Sequence, residues 1–131
     1  TCALPIWRPD AILAIWRGGA YIGIAMHEFF AAKGWRCALH PVECKSYTAP
    51  GKASAPRWND CAGALAALRP GMKALAVDDI CDSGRTLESL RRIALAAGAI
   101  LKSAVIYRNG ARTASAASPD WHLYDTDGEW L

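Results

Sequence analysis

Three carboxylates lie close together near the middle of the chain, in the stretch A-V-D-D-I-C-D-S-G-R-T that runs from Ala76 to Thr86. Asp78 and Asp79 directly follow an apolar run, and Asp82 comes three residues later. Because adjacent like charges repel and their burial costs free energy, such a cluster indicates a bound ligand that compensates for both effects. Carboxylates accept hydrogen bonds from neutral hydroxyl groups and bind hard cations, so the pair suits a diol or Mg²⁺.

The four residues after Asp82 predict an anion site. Ser83, Gly84, Arg85 and Thr86 lead directly into a predicted helix, whose first backbone N–H groups lack helical partners and lie at the positive end of the dipole. Gly84 allows the backbone to approach a ligand closely, and the hydroxyl groups of Ser83 and Thr86 add donors. Such a turn is best suited to phosphate. Phosphate, a diol and Mg²⁺ together describe a ribose 5-phosphate.

The elements that must position these residues alternate between apolar strands and helices. The predicted strands are Ala11–Trp16, Cys37–Tyr47, Lys73–Val77, Ile100–Tyr107 and Trp121–Tyr124, and the predicted helices are Tyr21–Ala32, Cys61–Leu68 and Arg85–Ala97. The segment Thr48–Asn59 is rich in Pro, Gly, Ala and Ser, which predicts a mobile loop. The alternation indicates an α/β fold with a doubly wound, mainly parallel sheet.

Helical spacing predicts one apolar face for each of the two long helices, which faces inward in the second, whereas the Phe29-Phe30 pair of the first lies in the core or at a subunit interface. The residues that share a face in the first helix are Ile22, Ala25, Met26, Phe29 and Phe30, with Gly34 at its end. Those in the second are Leu87, Leu90, Ile93, Ala94 and Ala97, with Gly98 at its end. Ligands of such sheets bind beyond the carboxyl ends of the strands, so Arg17-Gly18-Gly19 is expected beside the acidic motif.

Size and composition limit the classes of protein that need to be considered. The chain has 131 residues, of which 53% are hydrophobic and 21% charged, and this predicts one folded domain. A net charge of +3 is too small to indicate a nucleic-acid partner, and no apolar run approaches the ~18 residues of a membrane span. The five cysteines show neither C-x-x-C nor zinc spacing, which favours reduced thiols in the cytoplasm.

The two ends predict a fragment. The first six residues, T-C-A-L-P-I, lack an initiator Met and correspond to one reading frame of a common sequencing adapter. We therefore expect residues 1–6 to be non-native and residues 7–131 to form a single domain that is cut at both ends.

The stretch from Val77 to Thr86 resembles the motif V-[DE]-D-x-x-D-[ST]-G-x-T of type I phosphoribosyltransferases, and it matches every defined position. In that family the motif binds 5-phosphoribosyl 1-pyrophosphate (PRPP). Arg17-Gly18-Gly19 resembles the family's pyrophosphate loop, and Lys45-Ser46-Tyr47 resembles the start of its flexible catalytic loop. The residues Trp121 and Gly128-Glu129-Trp130-Leu131 are similar to the purine-binding end of bacterial xanthine-guanine and hypoxanthine phosphoribosyltransferases.

The resemblance implies a role for each matching residue of the PRPP site. Asp78 and Asp79 would hold the ribose hydroxyl groups, with Asp79 the better candidate to approach Mg²⁺. The 5-phosphate would lie against Ser83, Gly84, Arg85 and Thr86. Asp82 would accept a proton near N7 of the incoming purine, and pyrophosphate would bind Arg17, Gly18 and Gly19, after a peptide bond between Trp16 and Arg17 that is often cis in the family.

The resemblance also implies a base site and a mobile cover. Arg108 matches the lysine that contacts the 6-oxo group of the purine, Trp130 would stack on the base, and the backbone of Leu131 would meet its edge. The loop that opens at Ser46 and Tyr47 would close over the site and exclude water.

The activity so implied is Mg²⁺-dependent transfer of ribose 5-phosphate from PRPP to a 6-oxopurine, in purine salvage, by a cytoplasmic homo-oligomer of two or four subunits. Two departures bear on it: Trp16 stands where many relatives have Ser, and Arg108 replaces Lys. The sequence does not rank guanine, xanthine and hypoxanthine as substrates. A PRPP-binding regulator without catalytic activity is the alternative function, since such proteins keep the phosphate motif and lose the chemistry around it.

Overall fold

Six strands and two helices account for the regular structure of the computed structural model, which describes residues 7–46, 56–113 and 117–126. The strands are β1 (Ala11–Trp16), β2 (Ala38–Ser46), β3 (Pro56–Asn59), β4 (Lys73–Cys81), β5 (Ile100–Arg108) and β6 (Trp121–Asp125). The helices are α1 (Gly19–Ala32) and α2 (Arg85–Ala97). None of the helices in these ranges is long and apolar enough to cross a membrane.

The strands form one sheet in the order β3-β2-β1-β4-β5-β6. All neighbouring pairs are parallel except β2 and β3, which are antiparallel. Strands β1 and β4 lie at the centre, in a register that pairs Ala11 with Ala74 and Ala14 with Val77. This mainly parallel α/β sheet confirms the predicted fold class, and it brings the carboxyl ends of β1 and β4 side by side.

The two helices cover opposite faces of the sheet, so the central strands are buried on both sides. On one face, Ile12, Leu75 and Val77 pack with Phe30 of α1. On the other face, residues of alternate parity pack against α2, as the period of two along a strand requires. The strand residues are Leu13, Ile15, Ala74 and Ala76, and they pack with Leu87 and Leu90 of α2. The double burial explains why β1 and the first half of β4 read as continuous apolar runs.

Helix α2 has the predicted bounds and ends at Gly98, whose φ of +73° is the left-handed conformation expected there. Helix α1 begins at Gly19, two residues before the predicted start. Of the apolar face predicted for this helix, Phe30 is buried, whereas Ala25 and Phe29 are exposed, Phe29 by 43%. The buried stripe instead follows small residues that let the helix approach the sheet: Gly19, Ala20 and Gly23, followed by Phe30.

Two other predictions are wrong. The end of the predicted loop, Pro56–Asn59, is the strand β3, and the Nε1–H of Trp58 donates to Ser89 Oγ of α2 at 2.9 Å. Residues 61–68 form turns rather than a helix. The carboxylate of Asp60 accepts the backbone N–H groups of Leu65 and Ala66, both at 2.9 Å, and this favours turns over helical hydrogen bonds.

Candidate functional site

The turn after β1 lies directly against the acidic pair of β4. A Cβ added at Gly18 would overlap the carboxylate of Asp79, and one at Gly19 would overlap the backbone carbonyl of Val77. Both positions therefore require glycine because of close approach. The peptide bond between Trp16 and Arg17 is cis, as the family resemblance implies. The backbone N–H of Ala20 donates to the carbonyl of Arg17 at 3.0 Å, so the turn leads directly into α1.

Strand β4 continues four residues beyond its predicted end and carries the acidic pair to the edge of the sheet. Asp78 Oδ1 accepts the backbone N–H of Asp79 at 2.9 Å, and Asp79 Oδ1 accepts that of Ile80 at 2.8 Å. Burial, helped by the hydrogen bond between the two side chains, raises the pKa of Asp78 to about 8. Asp78 is therefore mostly protonated at neutral pH when no ligand is bound.

The turn that begins α2 is shaped around Gly84. This residue has a φ of +86°, and its buried backbone lies so near Ala117 that an added Cβ would come within 2.5 Å of the Ala117 Cβ. The backbone N–H of Arg85 points back to Ser83 Oγ at 3.4 Å. A cavity of about 260 Å³ opens here, lined by Asp78 and by residues 80–87. The structure thus brings Ser83, Gly84, Arg85 and Thr86 together at a helix N-terminus, the arrangement that suits phosphate.

Asp82 lies at the rim of this cavity and is held on both carboxylate oxygens. Asn109 Nδ2 donates to Oδ1 at 2.8 Å, and Arg112 Nη1 forms an ion pair with Oδ2 at 2.8 Å. Both partners follow β5, the neighbour of β4, and neither was predicted as a site residue. Their place after a strand next to the motif strand was the signal that could have found them, because strand ends of a parallel sheet share one edge.

Arg108 ends β5, opposite Cys81 of β4. Its Nε and Nη2 donate to the two carboxylate oxygens of Asp125 at 2.8 and 3.3 Å, and its Nη1 donates to Ser118 Oγ at 3.1 Å. The guanidinium holds the pKa of Asp125 below its usual range. Three of the five N–H groups of Arg108 are thus engaged within the chain, and its assignment to the base site stays a prediction.

The structure describes only some of the remaining predicted site residues. Arg17 is exposed, and it directly precedes Gly18, which lies against Asp79. Ser46 ends β2, and only its backbone is described. Tyr47, Trp130 and Leu131 lie outside the described residues. The structure therefore assembles the predicted PRPP residues, whereas the predicted contacts for the base stay predictions.

Comparison with known proteins gives the same family. A model of the phosphoribosyl transferase domain matches residues 6–130. No match is found among curated proteins. Among solved structures, a purine phosphoribosyltransferase from Pyrococcus horikoshii is similar with a TM-score of 0.68 and 22% identity, over 91% of this chain and 73% of that one.

Two further structures show the same fold. A hypoxanthine phosphoribosyltransferase from Staphylococcus aureus gives a TM-score of 0.73 at 15% identity, over 93% of this chain and 64% of its own, which is less than two thirds. A xanthine-guanine-hypoxanthine phosphoribosyltransferase from Helicobacter pylori gives 0.67 at 20% identity, over 92% of this chain and 72% of its own. On its sequence motif, its fold and the match to nearly its whole length, the chain belongs to the phosphoribosyl transferase family.

Proposed function

We propose that the protein transfers ribose 5-phosphate from PRPP to a 6-oxopurine, with Mg²⁺, to give a purine nucleoside monophosphate and pyrophosphate. The observation that carries the proposal is the order of three features along one sheet edge. Helix α1 begins at Gly19, the acidic pair lies in the last part of β4 beside it, and α2 begins at Arg85. PRPP has the matching order of pyrophosphate, ribose diol and 5-phosphate.

Each end of PRPP would meet backbone donors. The 5-phosphate fits the turn from Ser83 to Thr86, where the φ of Gly84 turns the chain into α2. Pyrophosphate fits the turn of Arg17, Gly18 and Gly19, where exposed Arg17 adds a positive charge and α1 begins. The two anion sites lie on either side of the carboxylates, which are suited to the uncharged ribose hydroxyls between them.

The acidic pair fits Mg²⁺ as well as the diol. Within the described ranges, no group of three or more His, Cys, Asp or Glu side chains could enclose a metal ion on its own. Mg²⁺ commonly binds one or two carboxylates together with water and substrate phosphates, so Asp79, with Asp78 beside it, is a sufficient protein contribution. When bound, Mg²⁺ would stabilise the negative charge that grows on pyrophosphate.

The reaction needs no covalent intermediate with the protein. The bond between C1 of the ribose and the pyrophosphate oxygen breaks, and pyrophosphate leaves with the electron pair. Positive charge then develops on the sugar, as in glycoside hydrolysis, and a purine nitrogen forms the new bond to C1. Arg17 stabilises the leaving group, and Asp82 accepts the proton that the purine loses.

The base site is proposed at the end of β5. Arg108 would contact the 6-oxo group with the N–H groups that Asp125 and Ser118 leave available, while Trp130 stacks on the base and the backbone of Leu131 meets its edge. The segment that opens at Ser46 and Tyr47 would cover the site, because water must be kept from the cationic sugar.

The proposed cellular role is purine salvage in the cytoplasm by a homo-oligomer. The exposed face of α1 supports the oligomer, because Tyr21 is 82% and Ile24 53% exposed on a helix whose other side packs on the sheet. Size-exclusion chromatography with light scattering would test it, and a monomer at micromolar concentration would contradict it.

The experiment that tests the function follows pyrophosphate release from PRPP and Mg²⁺ with guanine, xanthine, hypoxanthine, adenine, uracil and orotate. Release with a 6-oxopurine, lost in the Asp78→Ala/Asp79→Ala double variant, is the expected result, and the panel also ranks the purines. If no base gives pyrophosphate release but PRPP still binds in a Mg²⁺-dependent manner, the result would favour the non-catalytic PRPP-binding regulator instead. The engagement of Arg108 by Asp125 is the observation in favour of that alternative.

A further inference from the structure

We propose that Asn109 and Arg112 are positioning residues that hold Asp82 in the orientation needed to accept the purine proton, an inference that rests on the proposed function. Neither belongs to the stretch that resembles the PRPP motif. Both contact Asp82 directly, one on each carboxylate oxygen, at 2.8 Å.

Asn109 is fixed to the motif strand before it reaches Asp82. Its side chain is buried, with the residue only 3% exposed, and its backbone N–H donates to the carbonyl of Cys81 at 2.8 Å. Thr113, four residues later, donates through Oγ1 to the same carbonyl at 3.3 Å. The turn after β5 is therefore anchored to Cys81, the residue that precedes Asp82. This anchoring fixes the backbone position from which the Asn109 side chain extends toward Asp82.

The orientation of that amide is determined by the carboxylate. Among the described residues, Asn109 Oδ1 is buried and has no hydrogen-bond partner. A buried amide is normally oriented so that both ends are satisfied, and an unpaired acceptor is costly. Here the reverse orientation would place Oδ1 against an oxygen of Asp82, which has no proton to donate when ionised. The unpaired oxygen is thus the consequence of directing Nδ2 at Asp82.

Arg112 supplies the second point of attachment. Its side chain is 60% exposed, whereas that of Asp82 is 23% exposed, so Arg112 approaches the carboxylate from the solvent side and Asn109 from the interior. A hydrogen bond to one oxygen and an ion pair at the other restrict the plane of the carboxylate, because rotation about its terminal torsion would lengthen at least one of these contacts. Each oxygen retains a lone pair that can accept a proton.

A fixed carboxylate plane matters for proton transfer. A general base must lie within hydrogen-bond distance of the proton that it removes, and a small misplacement can reduce the rate by about 10²-fold. PRPP, in contrast, would bind through the acidic pair and the backbone turn, to which Asn109 and Arg112 donate no hydrogen bond within the described part of the chain. Loss of either residue should therefore lower turnover and leave PRPP affinity unchanged.

The test compares Asn109→Ala and Arg112→Gln with two matched controls. Arg92→Gln also removes an exposed arginine paired with a carboxylate, Glu88 at 3.0 Å, and Ser103→Ala also removes a buried polar group bonded to a carboxylate, Asp120. We expect kcat to fall about 10- to 100-fold for Asn109→Ala and several-fold for Arg112→Gln. The dissociation constant of PRPP should stay within about twofold, and both controls should retain wild-type kcat.

A double-mutant cycle separates positioning from a general loss of structure. In the Asp82→Asn background, Asn109→Ala should cause no further loss of kcat, because the residue acts through Asp82. An equal additional loss in that background would overturn the proposal. If Asn109→Ala does not fold, Arg112→Gln, which changes an exposed residue, replaces it in the same double-mutant cycle with Asp82→Asn.

The outcomes also distinguish this inference from the function on which it rests. An active wild type whose Asn109 and Arg112 variants match the controls would overturn the inference alone. A wild type that releases no pyrophosphate with any base would overturn both.

Discussion

The proposed PRPP side and the proposed base side of the site are built in different ways. On the PRPP side, glycines 18, 19 and 84 and backbone groups at two helix N-termini form the surface, and three positions exclude even a Cβ. On the base side, the side chain of Arg108 takes its position from Asp125 on the neighbouring strand. A site made of backbone can be specified by one contiguous stretch, whereas a site made of side chains depends on contacts between distant parts of the chain.

The largest effect that this comparison predicts is on the backbone of the phosphate turn. Gly84→Ala places a Cβ at a φ of +86° and against Ala117, so we expect PRPP binding to be lost. The free energy of unfolding should fall by about 1–3 kcal/mol from the backbone conformation and by a similar amount from the overlap. Chemical denaturation and calorimetric titration with PRPP measure the two effects.

The matched control is Gly34→Ala, at a φ of +76° where an added Cβ meets nothing described within 4 Å. It should cost only the backbone part, about 1–2 kcal/mol, and retain PRPP binding. Equal losses at positions 34 and 84 would contradict the role of the close packing against Ala117.

The next largest effect concerns catalysis at the boundary between the two sides. Asp82→Asn keeps the size of the side chain and removes the proton acceptor, so kcat should fall by about 10²–10⁴-fold with little change in PRPP affinity. Steady-state kinetics and a PRPP titration give the two numbers. A parallel loss of kcat and PRPP affinity would argue that Asp82 binds PRPP rather than the base.

A smaller effect follows from the raised pKa of Asp78. Its folded value of about 8 lies above the ordinary value of 3.8, so its contribution to stability is fully present below about pH 4 and is lost as the pH rises through about 8. The free energy of unfolding of the wild type should therefore fall across this window relative to Asp78→Asn. Denaturation of both proteins at several pH values would reveal it, and parallel curves would contradict it.

The same group makes ligand binding pH-dependent. If PRPP and Mg²⁺ need the ionised carboxylate, their affinity should increase as the pH rises toward about 8, and binding at pH 7 should release protons. Titrations in buffers of different ionisation enthalpy count those protons. Absence of proton release would mean that Asp78 stays neutral in the complex.

The smallest effect is expected on the base side. Asp125→Asn frees Arg108 from its paired carboxylate, so the KM for the purine should change several-fold while PRPP affinity stays constant. Steady-state kinetics with two 6-oxopurines would detect the change. A change in PRPP affinity of the same size would mean that the two sides are not independent.

The same contrast decides what the sequence could predict. Helix α2 and the acidic motif follow from local signals: an apolar run, a glycine turn and helical spacing, each of which the fold preserves. Strand β3 was missed because its four residues gain their structure from pairing with β2 and from the bond between Trp58 and Ser89. Asn109 and Arg112 were missed because their significance depends on the adjacency of β5 and β4.

The exposed face of α1 illustrates the same limit. Periodicity placed Phe29 and Phe30 on one face, but the small residues Gly19 and Gly23 decide which side of the helix approaches the sheet. A Cβ at Gly23 would come within 2.8 Å of the Ala14 Cβ, so packing, not hydrophobicity alone, sets the rotation of the helix.

The measurement that tests the central claim most directly is a calorimetric titration of the wild type with PRPP and Mg²⁺ at pH 8, beside the Asp78→Ala/Asp79→Ala variant. The account predicts saturable binding of one PRPP per chain, Mg²⁺-dependent and lost in the double variant. Undetectable binding at millimolar PRPP, or binding that survives the loss of both carboxylates, would contradict the assignment of this sheet edge to PRPP.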